Sequence, residues 1–118
     1  MSKLELKGKL FVVSGASSGL GRILTEKLIA GGCKVIGIGR NEAKFDDLKV
    51  FLGDKSDMLE TEIFDVSDEI GWKKLAAKLS ESGSVLNGLI NCAGVFPPFK
   101  KAVNFTVSDI EGVMKTNF

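Results

Sequence analysis

The residues best suited to chemistry lie in Phe11 to Ile23, FVVSGASSGLGRI, where an apolar run meets a turn holding Gly15, Gly19 and Gly21 and then an amphipathic pattern begins. A strand, a glycine turn and a helix in that order leave backbone N–H groups pointing outward at the helix start, where the helix dipole also favours negative charge. The chemistry on offer is the binding of an anion, above all a phosphate ester. In the spacing GxxxGxG, Gly15 permits a sharp exit from the strand, Gly19 lets backbone approach a pyrophosphate with no Cβ between, and Gly21 allows close helix packing. Ser14, Ser17 and Ser18 add hydroxyls that can bond phosphate or cap the helix. Alone, such a loop is equally well a turn with no ligand.

The residue types that are missing narrow the chemistry. With no His and no Tyr in the 118 residues, the commonest general base and the phenolic acid are both absent, so proton chemistry falls to Lys, Asp, Glu, Cys or a nucleotide. Cys33 and Cys92 form no CxxC pair, which leaves the usual zinc sets unavailable and both thiols read as reduced, buried side chains. A content of 44% hydrophobic and 26% charged residues is that of a globular protein, and 118 residues suit one domain spanning 1–118. A net charge of +1 gives no broad attraction to nucleic acid or anionic membrane, so small molecules or proteins are the expected partners. No apolar run is as long as a membrane span and MSKLELKGK lacks a signal-peptide core, so a cytoplasmic location is expected.

The elements that must position these groups follow from periodicity. Leu10 to Val13 is a short apolar strand suited to the middle of a parallel sheet, and Leu20, Ile23, Leu24, Leu28 and Ile29 recur at helical spacing up to Gly31-Gly32. Lys34 to Gly39 is strand 2, Asn41 can cap a helix ending at Gly53, and Met58 to Phe64 is strand 3. Ser67 or Asp68 opens a third helix that Gly83 ends, and Leu86 to Cys92 is strand 4. A loop from Ala93 to about Phe105 holds Pro97-Pro98, and Ser108 with Glu111 starts a last helix whose inward face is Ile110, Val113 and Met114. The order βαβαβαβα predicts an α/β, Rossmann-like parallel sheet with helices on both faces, cut after the fourth βα unit.

Ligands of such sheets lie beyond the carboxyl ends of the strands. Strand 1 delivers the turn from Ser14 through Gly15, Ser17, Ser18, Gly19 and Leu20 to Gly21; strand 2 delivers Gly39, Arg40 and Asn41. Asp65 and Val66 follow strand 3, and Asn91, Ala93 and Gly94 follow strand 4. An acidic residue about 20 positions past the glycine turn bonds the ribose hydroxyls of NAD, whereas an Arg there accommodates a 2′-phosphate. Here Gly39 and Arg40 hold that corner and no carboxylate precedes Glu42, which predicts NADP(H). A charge-assisted hydrogen bond contributes about 1.5 to 3 kcal/mol, roughly 10- to 150-fold in affinity, enough for one Arg to decide the cofactor. A solvated Arg at a helix start is the plainer reading, though a cation there is electrostatically misplaced without an anion. Asp65 can accept from an adenine amino group or cap the third helix; Asn91 can meet the ligand or tie two strand ends together. Asn117 falls on the apolar face set by Ile110, Val113 and Met114, so it is either functional or part of a frayed helix end.

These motifs together resemble the short-chain dehydrogenases/reductases of the common soluble type. SGASSGLG at 14–21 is similar to that family's TGxxxGxG cofactor motif, FDVSD at 64–68 resembles its adenine-contacting Asp, and NCAG at 91–94 resembles its NNAG motif. KTNF at 115–118 resembles the segment carrying the Asn of the catalytic tetrad, which would be Asn117. The resemblance implies hydride transfer between NADP(H) and a carbonyl or alcohol. In the family a Tyr is the acid/base, a Lys of the same YxxxK motif lowers its pKa, a Ser orients the carbonyl and the Asn holds a relay water; only the Asn has a match here. The expectation is therefore an NADP-binding N-terminal half, inactive alone. The alternative is a non-enzymatic nucleotide-binding or interaction module whose strand 4, left as a sheet edge, pairs with a partner or a second copy.

Overall fold

The computed structural model describes residues 6–92. Strands β1 (Leu10–Ser14), β2 (Lys34–Gly39), β3 (Leu59–Ile63) and β4 (Gly88–Asn91) alternate with helices α1 (Gly19–Ala30), α2 (Glu42–Leu52) and α3 (Glu69–Ser82). The strands form one sheet in the order β3-β2-β1-β4, and every pairing is parallel. β1 thus lies inside, as its uninterrupted apolar run requires, and β4 is an edge of the described sheet.

Alternate strand residues feed two cores. Phe11, Val13 and Val35 pack with Leu24, Leu28 and Ile29 of α1 and Phe45 and Leu48 of α2. Val12, Ile36 and Ile38 point the other way, onto Leu75 of α3 with Trp72 and Leu79 beside it. Helices therefore cover both faces, and the sheet's two edges fix where the ends of its strands emerge. The edge strand β3 is less apolar than its neighbours because Glu60 and Glu62 face α3, where Lys78 Nζ reaches them at 3.3 and 3.1 Å.

Boundaries depart from the sequence expectation where side chains intervene. β1 runs one residue longer, to Ser14. A 3₁₀ turn over Gly53–Met58 takes Met58 out of the third strand, which ends at Ile63 rather than Phe64. Phe64 N still donates to Gly39 O at 3.1 Å, but its ring turns onto Trp72, edge to face at 5.5 Å between centroids. β4 starts at Gly88, since Asn87 pins the approach from both sides: its N donates to Leu10 O and its Oδ1 accepts from Leu10 N, each at 2.9 Å. The loop from Ala93 and the last helix fall outside the described residues.

Of the two candidates for opening α3, Asp68 takes the role, its Oδ1 accepting from Ile70 N at 3.0 Å and Gly71 N at 3.2 Å. Asp68→Ala is expected to cost about 1 kcal/mol of stability, read as a lower urea midpoint, and an unmoved midpoint would contradict the cap.

Candidate functional site

The register of the sheet brings the predicted residues to one end. Ser14 pairs with Ile38 on one side and Asn91 on the other, and Gly39 pairs with Ile63, so the segments after β1, β2 and β3 leave the sheet at one level. Gly15 turns the chain at φ +69 with its N donating to Ile38 O at 2.8 Å, and Gly19 opens α1 at φ +57. A Cβ at Gly19 would meet nothing within 4 Å, so the backbone there is bare to the outside. A Cβ at Gly21 would stand 2.0 Å from Gly15 O. The first turn of α1 thus lies directly on the strand exit, an approach that only glycine permits.

The start of α1 differs from those of the other helices. Asn41 caps α2 by accepting from Lys44 N, and Asp68 caps α3, but Ser18 at the N-cap of α1 makes no side-chain cap bond and no acidic residue stands in the first turn. Among the described residues its leading N–H groups therefore meet no N-cap side chain, and the dipole meets no carboxylate within the first turn. Ser18 is exposed, Ser17 is buried and Leu20 packs partly against the core of α1 and α2.

Ser14 does not face this space. Fully buried, it donates through Oγ to Asn91 Oδ1 at 2.5 Å and accepts from Cys92 N at 3.1 Å, so it clasps β1 to β4. Asn91 thus forms the tie between strand ends.

Arg40 and Asp65 meet at the ends of β2 and β3. Arg40 Nη1 donates to Asp65 Oδ2 at 3.4 Å, with 77% and 45% of the two side chains exposed. Asp65 Oδ1 accepts from Ser67 N at 2.9 Å and Ser67 Oγ at 2.8 Å. These Ser67 bonds, with the Arg40 charge contributing least, hold its carboxyl below the usual range. Asp65 caps no helix. The loop carrying it is anchored by Trp72, whose Nε1 donates to Val66 O at 2.8 Å. The Asn41 side chain is engaged in its cap, which leaves only its backbone and remaining polar edge toward the corner. Ala93, Gly94 and Asn117 lie outside the described residues.

Other chemistry is weakly provided for. Burial pushes the Cys33 and Cys92 thiols up to about 11, so neither is a thiolate nucleophile near neutrality. Among the described residues no group of three His, Cys, Asp or Glu could hold a metal ion, and no helix is long and apolar enough to cross a membrane. An open hollow of about 420 Å³ bounded by Leu10, Lys34, Glu60 and Lys78 lies at the opposite end of the sheet from the described candidates.

Sequence reasoning offers the Asn91 tie but misses Ser14 as its partner, which no local signal marks. It also misses the Asp65–Ser67 bonds, an Asx-type turn legible in the spacing Asp-x-Ser.

A parallel sheet whose first turn is an uncapped glycine cradle, with an Arg at the end of the second strand, defines a dinucleotide-binding class of α/β protein. The sequence pattern described as short chain dehydrogenase matches residues 9–118. The chain belongs to the short-chain dehydrogenase family. It is 30% identical over 108 residues to an NADP-dependent 3-hydroxy acid dehydrogenase of Escherichia coli O6:H1, covering 92% of this chain and 42% of that protein. It is 31% identical over 91 residues to an NADP-dependent (R)-specific alcohol dehydrogenase of Lentilactobacillus kefiri, covering 77% and 36%. Among solved structures, serine dehydrogenase from Escherichia coli superposes with a TM-score of 0.62 at 31% identity over 74% of this chain and 39% of that one. A short chain dehydrogenase from Bacillus anthracis shares the fold with a TM-score of 0.69 at 23% identity, over 92% and 44%. The chain thus spans about two-fifths of the length of these relatives.

Proposed function

We propose that residues 1–118 hold the adenosine, pyrophosphate and 2′-phosphate of NADP(H) in a protein that moves hydride between that cofactor and a carbonyl or alcohol. The observation carrying this is the start of α1, where bare backbone at Gly19 and a first turn with no acidic residue and no N-cap side-chain bond lie beyond β1. In this reading Gly15, Ser17, Ser18, Gly19, Leu20 and Gly21 form the pyrophosphate cradle. Arg40, with Asn41 beside it, receives the 2′-phosphate, and Asp65 and Val66 flank the adenine. Asn91, Ala93 and Gly94 border the ribose side, and Asn117 serves the proton relay.

The cofactor supplies or accepts the hydride; this chain's residues bind and orient it. Two relatives named as NADP-dependent support the phosphate preference. The acid/base Tyr and its Lys have no counterpart among the 118 residues, so turnover is assigned to the whole protein and not to this chain alone. Titration of the protein with NADPH and NADH, followed by nucleotide fluorescence, is expected to show NADPH bound at least about tenfold more tightly, the lower end of one charge-assisted hydrogen bond. Equal, weak binding of both would overturn the reading.

A further inference from the structure

We propose that Arg40 and Asp65 form a latch across the adenosine corner which a 2′-phosphate opens, so that the phosphate and the adenine amino group are recognised cooperatively. This rests on the NADP(H) reading above and adds a coupling to it. The loop that presents Asp65 is fixed from below by Trp72, which donates to Val66 O and packs against Phe64. Ser67 then orients the carboxylate by giving both its N–H and its hydroxyl to Oδ1. Oδ2 is left facing β2, and the guanidinium of Arg40 stands on it at 3.4 Å. An adenine amino group seeking that oxygen has to share it with the Arg40 guanidinium, which draws on the same acceptor.

Both partners are largely in water, 77% and 45% exposed, so the pair is reachable and weak. Exposed pairs of this kind shift equilibria by roughly 1.4- to 5-fold, small enough to yield to a ligand and large enough to measure. A dinucleotide with a 2′-phosphate gives the guanidinium a more highly charged, bidentate partner and so clears Oδ2 for the amino group. One without the phosphate either leaves the latch shut or opens it with nothing for Arg40 to hold. The amino group should therefore be worth more to NADPH than to NADH.

The test is a ligand-side cycle: dissociation constants for NADPH, NADH and the analogues of each with purine in place of adenine, on the wild-type protein and on Asp65→Asn. Loss of the amino group is expected to weaken the phosphorylated pair about 1.4- to 5-fold more than the unphosphorylated pair. In Asp65→Asn that excess should vanish while NADPH remains preferred. Equal losses in the wild type would overturn the latch, as would an excess that survives in Asp65→Asn, because the coupling would then not run through the Arg40–Asp65 pair. Absence of any NADPH preference would instead sink the cofactor reading, and the latch with it.

Discussion

Gly21→Ala is expected to destabilise the protein by about 2 kcal/mol or more and to abolish dinucleotide binding, read by thermal unfolding and by NADPH titration. Two effects oppose each other at this position. Alanine is the better helix former by about 1 kcal/mol, and Gly21 lies inside α1. Against that, the new methyl would sit 2.0 Å from Gly15 O and 2.6 Å from the carbon bearing it, both backbone atoms that no rotamer change can move. Overpacking costs about 1 to 3 kcal/mol even where side chains can give way, so the clash wins and α1 must lift from the strand exit. Gly19→Ala separates cradle from scaffold. Its Cβ meets nothing within 4 Å, and the φ of +57 imposes a strain of about 1 to 2 kcal/mol, so the fold should survive. The methyl would nevertheless occupy the surface where pyrophosphate is proposed to lie, and binding should fall with little change in unfolding. A Gly21→Ala protein as stable as the parent would show that the approach of α1 to Gly15 is not needed.

The described strands and helices and their order are legible because each carries one strong signal. The apolar runs at β1 and β2 are too short for buried helices and are bounded by glycines, which marks them as strands covered on both faces, and the helical spacing of Leu24, Leu28 and Ile29 fixes the buried side of α1. Element ends were less legible because they are set by single side chains whose partners are remote in sequence. Asn87 starts the pairing of β4 by bonding Leu10, and Phe64 leaves β3 to meet Trp72.

The candidate site divides in the same way. The glycine positions were legible from backbone geometry alone, since Gly15 and Gly19 have the positive φ that such a turn demands. The roles of Ser14 and Asn91 required tertiary knowledge: a serine at a strand end looks available to phosphate until the parallel register sets it against Asn91. In the sequence Arg40 is a cation in want of an anion at the start of α2, and the sheet supplies one in Asp65, on the neighbouring strand end. That pairing follows from Gly39 and Ile63 being partners, a fact of strand order that no local pattern records.

The same juxtaposition makes charge reversal at this corner the sharpest test of cofactor choice. Arg40→Asp is expected to weaken NADPH binding by at least about 10- to 150-fold, the range of one charge-assisted bond, and to leave NADH within about threefold of the parent, so that the preference inverts. The loss should exceed simple deletion, because the new carboxylate would repel both the 2′-phosphate and Asp65. Folding should be nearly untouched: Arg40 is 77% exposed, and its one ion pair is screened by water. Unfolding curves that coincide with the parent's would then separate recognition from stability. Arg40→Lys refines the assignment, since it keeps the charge but loses the planar fork, and should fall between parent and Arg40→Asp. If NADPH still outcompetes NADH in Arg40→Asp, the phosphate contact lies elsewhere, and the corner formed by β2 and β3 is only a solvated ion pair.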